Sequence, residues 1–115
     1  MKTPHRYGVA YRLWRGDQVA LIRRPDKGLL GGMLATPTSD WRAKAWTAAE
    51  ALSAAPTKAA WRDIGDVEHV FTHFSLTLTV YEVSTETADN QFIWTNLVAA
   101  AASTPTVFRK VLELG

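Results

Sequence analysis

FSLTLTVYEV, residues 74–83, carries the most regular strand pattern in the chain. Apolar side chains occupy every second position and alternate with more polar, hydroxyl-bearing ones: Phe74, Leu76, Leu78 and Val80 against Ser75, Thr77, Thr79 and Tyr81. Successive side chains of a strand point to opposite faces. The alternation therefore predicts a β-strand with one face in the core and a wetter face opposite.

A β-hairpin is predicted near the N-terminus. Apolar residues alternate over residues 7–13, and Arg15, Gly16 and Asp17, which follow Trp14, are typical of a turn. Residues 19–22 then resume as an apolar run. Towards the C-terminus, a short strand is expected over residues 91–94.

The first helix is marked by its own capping residues. Residues 47–50, TAAE, match a capping box, in which the Thr47 side chain accepts from the amide of Glu50 and the Glu50 side chain reaches back. Pro56 must end the alanine-rich helix that follows.

The last helix is predicted with Thr104 as its N-cap, Pro105 at its first helical position and Gly115 as its stop. Its apolar stripe is Val107, Phe108, Val111 and Leu112. Another turn or two of helix is expected over residues 95–102. Together the elements predict a single α+β domain over residues 1–115.

Composition limits the classes of protein. The chain has 115 residues, 47% of them hydrophobic, a formal net charge of +2 and no cysteine. Without cysteine there is no disulfide, thiolate nucleophile or thiolate metal site, which suits a reducing cytoplasmic setting. No run approaches the roughly 20 apolar residues of a membrane span, and no secretory signal is visible, so we expect a cytoplasmic protein without a membrane partner.

Glycines crowd an otherwise apolar run, GLLGGMLATP, at residues 28–37. Gly28, Gly31 and Gly32 offer positive φ or close backbone approach, and residues 33–36 then resume as a buried strand halted by Pro37. A phosphate-binding loop is excluded because no Gly-Lys-Ser/Thr follows, and the spacing does not fit a dinucleotide fingerprint. The run predicts a tight turn, and residue chemistry alone gives it no further role.

Two separated motifs resemble a known family. RRPDKGLLGGMLATP, residues 23–37, followed after a helix by VEHVFTHFSLTLTVYEV, residues 67–83, is similar to the C-terminal domain of MutY-type adenine DNA glycosylases. The resemblance runs from about Arg6 to the closing TPTVFRKVLELG. It implies a Nudix-like mixed β-sheet flanked by short helices, which serves to recognise 8-oxoguanine in DNA opposite a mispaired adenine.

The catalytic half of that family is a helical domain with an iron–sulfur cluster held by four cysteines. The chain has no cysteine, so the resemblance implies a noncatalytic recognition fragment without a cofactor. The partners that it implies are double-stranded DNA containing 8-oxoguanine:adenine and the catalytic domain of the same parent chain. Met1 would then be an added start residue.

VFTHF, residues 70–74, matches the turn with which the family enters the duplex beside the oxidised guanine. The resemblance assigns Phe71 as the apolar wedge, Thr72 as the hydroxyl that bonds the lesion, and His73 as a flanking donor or loop support. Threonine for serine keeps the hydroxyl but adds a methyl group and stiffens the rotamer. Residue chemistry alone also permits Phe71 in the core, with Thr72 and His73 merely beginning a strand.

Arg23, Arg24 and Lys27 adjoin the glycine run and are candidates for contacts to DNA phosphates. Such contacts position a protein on DNA and do not specify a base. The alternative is a solvated charged edge that protects a strand from aggregation.

A free-standing Nudix-type nucleotide pyrophosphohydrolase is the main rival function, and a protein-interaction module is another. Such hydrolases hold magnesium with clustered glutamates on one helix, and hard cations need several oxygen ligands at once. The corresponding region, residues 31–56, offers only Asp40 and Glu50, and Glu50 already caps a helix. This region therefore favours a fold whose hydrolytic chemistry has been lost.

Histidine spacing suggests a metal only superficially. His69 and His73 are four residues apart, which suits zinc on a helix but spans about 13 Å on a strand. They cannot chelate unless the chain folds back, and His5 offers no partner. We expect no metal site and histidines that face solvent or form hydrogen bonds.

Overall fold

The computed structural model describes residues 3–87 and 91–115. In chain order the elements are β1 (His5–Arg15), β2 (Gln18–Arg23), β3 (Leu34–Ala35), α1 (Ala48–Ser53), β4 (Arg62–Val70), β5 (Ser75–Ser84), β6 (Ile93–Asn96), α2 (Leu97–Ser103) and α3 (Thr106–Glu113). None of the helices in these two segments is long and apolar enough to cross a membrane.

The strands form one mixed sheet in the order β3-β2-β1-β5-β4, and β6 pairs with β2. At its centre β1 runs parallel to β5, from His5 beside Ser75 to Trp14 beside Ser84. The other pairings between these strands are antiparallel. A mixed sheet with short helices confirms the predicted α+β class.

The strand predicted over residues 74–83 is present as β5. Leu76, Leu78 and Val80 are buried, whereas Thr77 on the opposite face is half-buried. Tyr81 departs from the expected wetter face because it packs, buried, in a cluster with Tyr11 and Trp61. The predicted alternation therefore holds at the start of the strand, while both faces are covered near its end.

The predicted hairpin is present as β1 and β2, with Gly16 in the left-handed region at φ 60° in the turn between them. The short strand predicted near residue 91 begins at Ile93. Strand β4 was not predicted, because its sequence RDIGDVEHV is polar and is interrupted by a bulge at Gly65. A bulge disturbs the period of two on which strand prediction rests.

The capping box of α1 is confirmed, since the Thr47 side chain accepts from the Glu50 amide and the Glu50 carboxylate accepts from the Thr47 amide. The assignment of Thr104 as N-cap of the last helix is wrong. Its hydroxyl donates to the carbonyl of Ala100 in α2, and Pro105 takes the N-cap position without a side-chain cap bond. Helix α2 begins after Asn96, whose side chain accepts from the Ala99 amide.

Arg12 of β1 is a buried cation, with 7% of the residue exposed. Its guanidinium lies 2.7 Å from the carboxylate of Glu82, its register neighbour on β5. Nη1 donates to carbonyls at the C-terminal end of α3: Val111 at 3.1 Å, Leu112 at 3.2 Å and Leu114 at 2.6 Å. Arg12 thus joins the sheet to the last helix.

Glu82 completes this network. Burial alone would raise the pKa of Glu82, but hydrogen bonds from Trp14, Arg62 and Arg12 outweigh it and hold the pKa below its ordinary value. The carboxylate is therefore charged at neutral pH and matches the buried cation.

Arg12→Met is expected to lower the free energy of unfolding by about 3 kcal/mol, because it leaves Glu82 and the end of α3 without their buried cation. Urea denaturation measures this change. The control is Arg109→Met, which removes an exposed arginine 3.8 Å from Glu113 and is expected to change stability by about 0.5 kcal/mol or less. Equal effects in the two variants would show that Arg12 does not anchor α3.

Candidate functional site

The turn between β4 and β5 lies at the tip of a hairpin. The Phe71 amide donates to the carbonyl of Phe74 at 2.8 Å, which closes residues 71–74 into a tight reversal. Thr72 and His73 are exposed at the tip, and Phe71 is half-buried. The three residues assigned to the lesion from the sequence are therefore together, with the polar pair outermost.

Beneath the tip lies an aromatic cluster formed by Trp41, Phe71 and Phe74. Phe71 stacks on Phe74 with ring centroids 4.8 Å apart, and Trp41 lies 6.1 Å from Phe71 and 6.3 Å from Phe74. These rings pack against the buried core cluster that contains Phe108. The turn is thus supported by the core, so its tip is held in a defined position.

Strand directions bring basic residues to the same end of the sheet as this turn. Because β1 is parallel to β5, its first residues, His5 and Arg6, pair beside Ser75 and Leu76, just after the turn. Strand β2 is antiparallel to β1, so it ends near this edge and leads into Arg24. We call the side of the sheet at which these strand ends and the turn lie the hairpin end of the sheet.

The three predicted phosphate-contacting cations occupy two different environments. Arg23 and Lys27 are exposed, and Arg23 Nη1 donates to the carbonyl of Gly32 at 2.7 Å. Arg24 is half-buried, with its guanidinium 4.9 Å from the Trp41 ring centroid and its Nε buried without a hydrogen-bond partner. Burial lowers the pKa of Arg24. Arg24 therefore packs on the Trp41 ring of the aromatic cluster, whereas Arg23 and Lys27 present charge at the surface.

The glycine loop follows these cations and has the predicted backbone. Gly28 and Gly32 have φ of 81° and 74°, in the left-handed region that favours glycine. A Cβ on Gly31 would lie 3.0 Å from the carbonyl carbon of Asp26, so close backbone approach is confirmed there. The buried strand expected next is only two residues long, β3.

Two residues beside the turn were missed in the sequence. Trp41 has no periodic neighbours that would mark it as part of a cluster. Lys110 lies on the polar side of the last helix, where a lysine ordinarily faces solvent, yet its Nζ donates to the Glu68 carbonyl at 2.8 Å and lies 3.2 Å from His69 Nδ1. Only the packing of α3 on β4 reveals that contact.

His5 and His69 have side-chain partners within the protein. His5 Nε2 lies 2.8 Å from the hydroxyl of Thr77. His5 is therefore hydrogen-bonded, which is one of the two environments expected for the histidines. The chain does fold back between His69 and His73, at the turn. Within residues 3–87 and 91–115, no three side chains among histidine, aspartate and glutamate are grouped to hold a metal ion.

Glu50 does not fit a magnesium site. Its Oε1 accepts from Arg42 at 2.8 Å and from the Thr47 amide at 3.0 Å. The Arg42 hydrogen bond, followed by the Thr47 backbone bond, lowers the pKa of Glu50 to about 2. Asp40, the other carboxylate of the region, is exposed on the loop that precedes α1. The two residues do not supply the several converging oxygens that magnesium requires.

Arg42→Met is expected to raise the pKa of Glu50 from about 2 towards 4.5, because the largest cause of the lowered value is removed. An NMR titration of the Glu50 side chain between pH 1.5 and 6, in the unsubstituted chain and in the variant, measures the change. A carboxyl group whose pKa is lower in the folded protein than in the unfolded chain stabilises the fold at pH values above the unfolded pKa. This stabilisation is lost as the pH falls from about 4.5 to about 2. In the variant the loss of stability over this pH range should therefore be smaller. An unchanged Glu50 titration would contradict the ion pair.

The sequence is similar to those of known proteins. The family model for the NUDIX domain matches residues 8–114. The chain is 35% identical over 78 residues to the adenine DNA glycosylase of Homo sapiens, an alignment that covers 62% of this chain. The alignment covers 14% of that human protein, so the chain corresponds to a small part of its relative.

Solved structures share the fold. The C-terminal domain of mouse MUTYH, in its complex with human PCNA, is 22% identical with a TM-score of 0.70, covering 95% of this chain and 86% of that one. The MutT protein from Methanosarcina mazei Go1 is 18% identical with a TM-score of 0.72, covering 98% and 94%. These findings confirm the resemblance to the glycosylase C-terminal domain and the Nudix-like fold.

Proposed function

Since the chain belongs to the NUDIX domain family, we propose that it is a noncatalytic DNA-recognition domain that reads 8-oxoguanine opposite adenine for an adenine glycosylase. The observation that carries this proposal is the β4–β5 turn, which exposes Thr72 and His73 above the core-supported aromatic cluster. Similarity to an adenine DNA glycosylase supports this reaction class for the parent protein.

The chemistry of the tip suits the task. Oxidation of guanine changes the donors and acceptors along one edge of the base, so recognition needs a polar group held at a fixed position. The Thr72 hydroxyl both donates and accepts, and the hydrogen bond from Phe71 to Phe74 fixes the turn that carries it. Phe71 lies at the base of the tip, half-buried and stacked on Phe74, and the exposed part of its ring is the apolar surface offered to bases that are partly unstacked.

Charge at the hairpin end supports the same proposal. Arg23 and Lys27 are exposed beside the glycine loop, and Arg6 begins the sheet next to the turn. In this arrangement the cations hold the sugar-phosphate backbone while the turn meets the base, which is the usual division between positioning and specifying contacts. Asp26, exposed in the same loop, limits the net positive charge there.

The proposal assigns glycosidic bond cleavage to a catalytic domain outside this chain. An iron–sulfur cluster of the family type does not fit the chain, because it has no cysteine. Nucleotide hydrolysis in the manner of MutT proteins does not fit either, because Glu50 is engaged by Arg42 and Thr47.

The purified chain is expected not to hydrolyse 8-oxo-dGTP or the ordinary deoxynucleoside triphosphates above background in magnesium or manganese. The reason is the missing set of converging carboxylates. Release of pyrophosphate or phosphate measures the activity, with an active MutT hydrolase as positive control. Turnover that disappears in Glu50→Gln would instead establish a pyrophosphohydrolase with an unorthodox site.

Thr72→Ala is expected to reduce the preference of the chain for an 8-oxoguanine:adenine duplex over a guanine:adenine duplex by about 2- to 12-fold, the worth of one neutral hydrogen bond. Overall duplex affinity should largely survive, because phosphate contacts remain. Phe71→Ala should have a larger effect, since it removes ring packing as well. Fluorescence anisotropy with both duplexes measures these changes.

The matched control is Thr79→Ala, a threonine on β5 whose neighbours across the sheet are Val9 and Asp66. Thr77 is unsuitable as a control, because its hydroxyl is bonded to His5. If Thr72→Ala and Thr79→Ala have the same preference for the lesion, the turn does not contact the oxidised base.

A further inference from the structure

Lys110 of α3 lies against the end of β4 that leads into the turn. Its Nζ donates to the Glu68 backbone carbonyl and contacts His69 Nδ1 at 3.2 Å. The His69 ring meets Phe71 edge to face, with centroids 4.7 Å apart. Lys110 is therefore joined through a single side chain to the residue at the base of the turn.

The hydrogen-bonding capacity of this pair is not used up. An ammonium group has three donors and no acceptor, so Lys110 retains one N–H after bonding Glu68 and His69. His69 Nδ1 must be the acceptor in that contact, which places the ring proton of the neutral histidine on Nε2. Burial, together with the Lys110 charge, lowers the pKa of His69 and favours this neutral form. Two donors thus remain: one Lys110 Nζ–H, and the His69 Nε2–H on the other side of the ring from Lys110.

The position of the pair complements the other cations. In the sheet order, Arg23 on β2 and His69 on β4 stand on either side of the β1–β5 pair. A turn that enters a duplex groove has a sugar-phosphate strand on each side of it, so basic residues on either flank can reach phosphates. The sequence supplied candidates for one flank only.

We propose that Lys110 and His69 form a phosphate contact on the α3 flank of the turn, opposite Arg23 and Lys27. The contact rests on the proposed function, since it requires the turn to meet duplex DNA. Glu68 carries an exposed carboxylate, but Lys110 bonds the backbone carbonyl of that residue rather than its carboxylate. The ammonium charge is therefore still available to an anion.

Lys110→Met tests the contact, because it removes the charge and keeps most of the apolar stem. Binding to an 8-oxoguanine:adenine duplex is measured by fluorescence anisotropy over a series of salt concentrations. The slope of log affinity against log salt should fall in magnitude by about 0.9, and affinity at low salt should fall several-fold. The preference for 8-oxoguanine over guanine should not change, since a phosphate contact carries no base information.

The control is Lys58→Met, which removes the same charge from an exposed lysine in the loop before β4, at the end of that strand remote from the turn. The slope of log affinity against log salt for this variant should match that of the unsubstituted 115-residue chain. A second measurement needs no variant: acetylation of lysines with and without duplex should show protection of Lys110 and not of Lys58.

An unchanged slope in Lys110→Met, with Lys110 acetylated equally in the presence of duplex, would overturn the contact and leave Lys110 as a brace between α3 and β4. Loss of lesion preference in Thr72→Ala together with that result would retain the proposed function without this contact. If the unsubstituted chain binds no duplex, both the proposed function and the Lys110 contact are overturned.

Discussion

Parallel pairing of β1 with β5 is the constraint on which the rest of the structure depends. It places two strands that are far apart in sequence at the centre of one sheet and buries both faces of β1 over residues 8–13. The same register sets Arg12 beside Glu82, so the central strand carries a buried cation with its counter-ion already in place. It also sets His5 and Arg6 next to the turn that follows β4, so the basic start of the chain and the hairpin share one edge.

The buried charge at Arg12 in turn fixes the last helix. Carbonyl groups at a helix C-terminus have no partner within the helix and carry partial negative charge. Arg12 satisfies those of Val111, Leu112 and Leu114, while Val107 and Phe108 fill the core on the side of β5. With α3 held in this way, Lys110 comes to rest on the end of β4. The helix thereby contributes to the hairpin end although its sequence gives no sign of a binding role.

The candidate interface combines a rigid base with an exposed tip. Arg24, Trp41, Phe71 and Phe74 are packed on one another and on the core, whereas Thr72 and His73 project beyond them. A recognition element gains from this division, because the contacting groups need not be ordered at the moment of binding. Glu50, by contrast, forms a helix cap and an ion pair with Arg42.

Local patterns in the sequence determined the strands β1, β2 and β5, the capping box of α1, the tight glycine loop and the class of fold, because each depends on neighbours a few residues away. The turn at residues 71–74 was located through a family motif. Strand β4 was not predicted, because the bulge at Gly65 interrupts the two-residue period of a strand. The role of Thr104 was not predicted either, because its hydroxyl donates to the Ala100 carbonyl at the end of α2. Tertiary structure alone decided that Tyr81 is buried, that Arg24 supports Trp41 and that Lys110 meets His69. The physical reason is that these contacts join residues remote in sequence, whose approach is set by strand register and helix docking rather than by local preference.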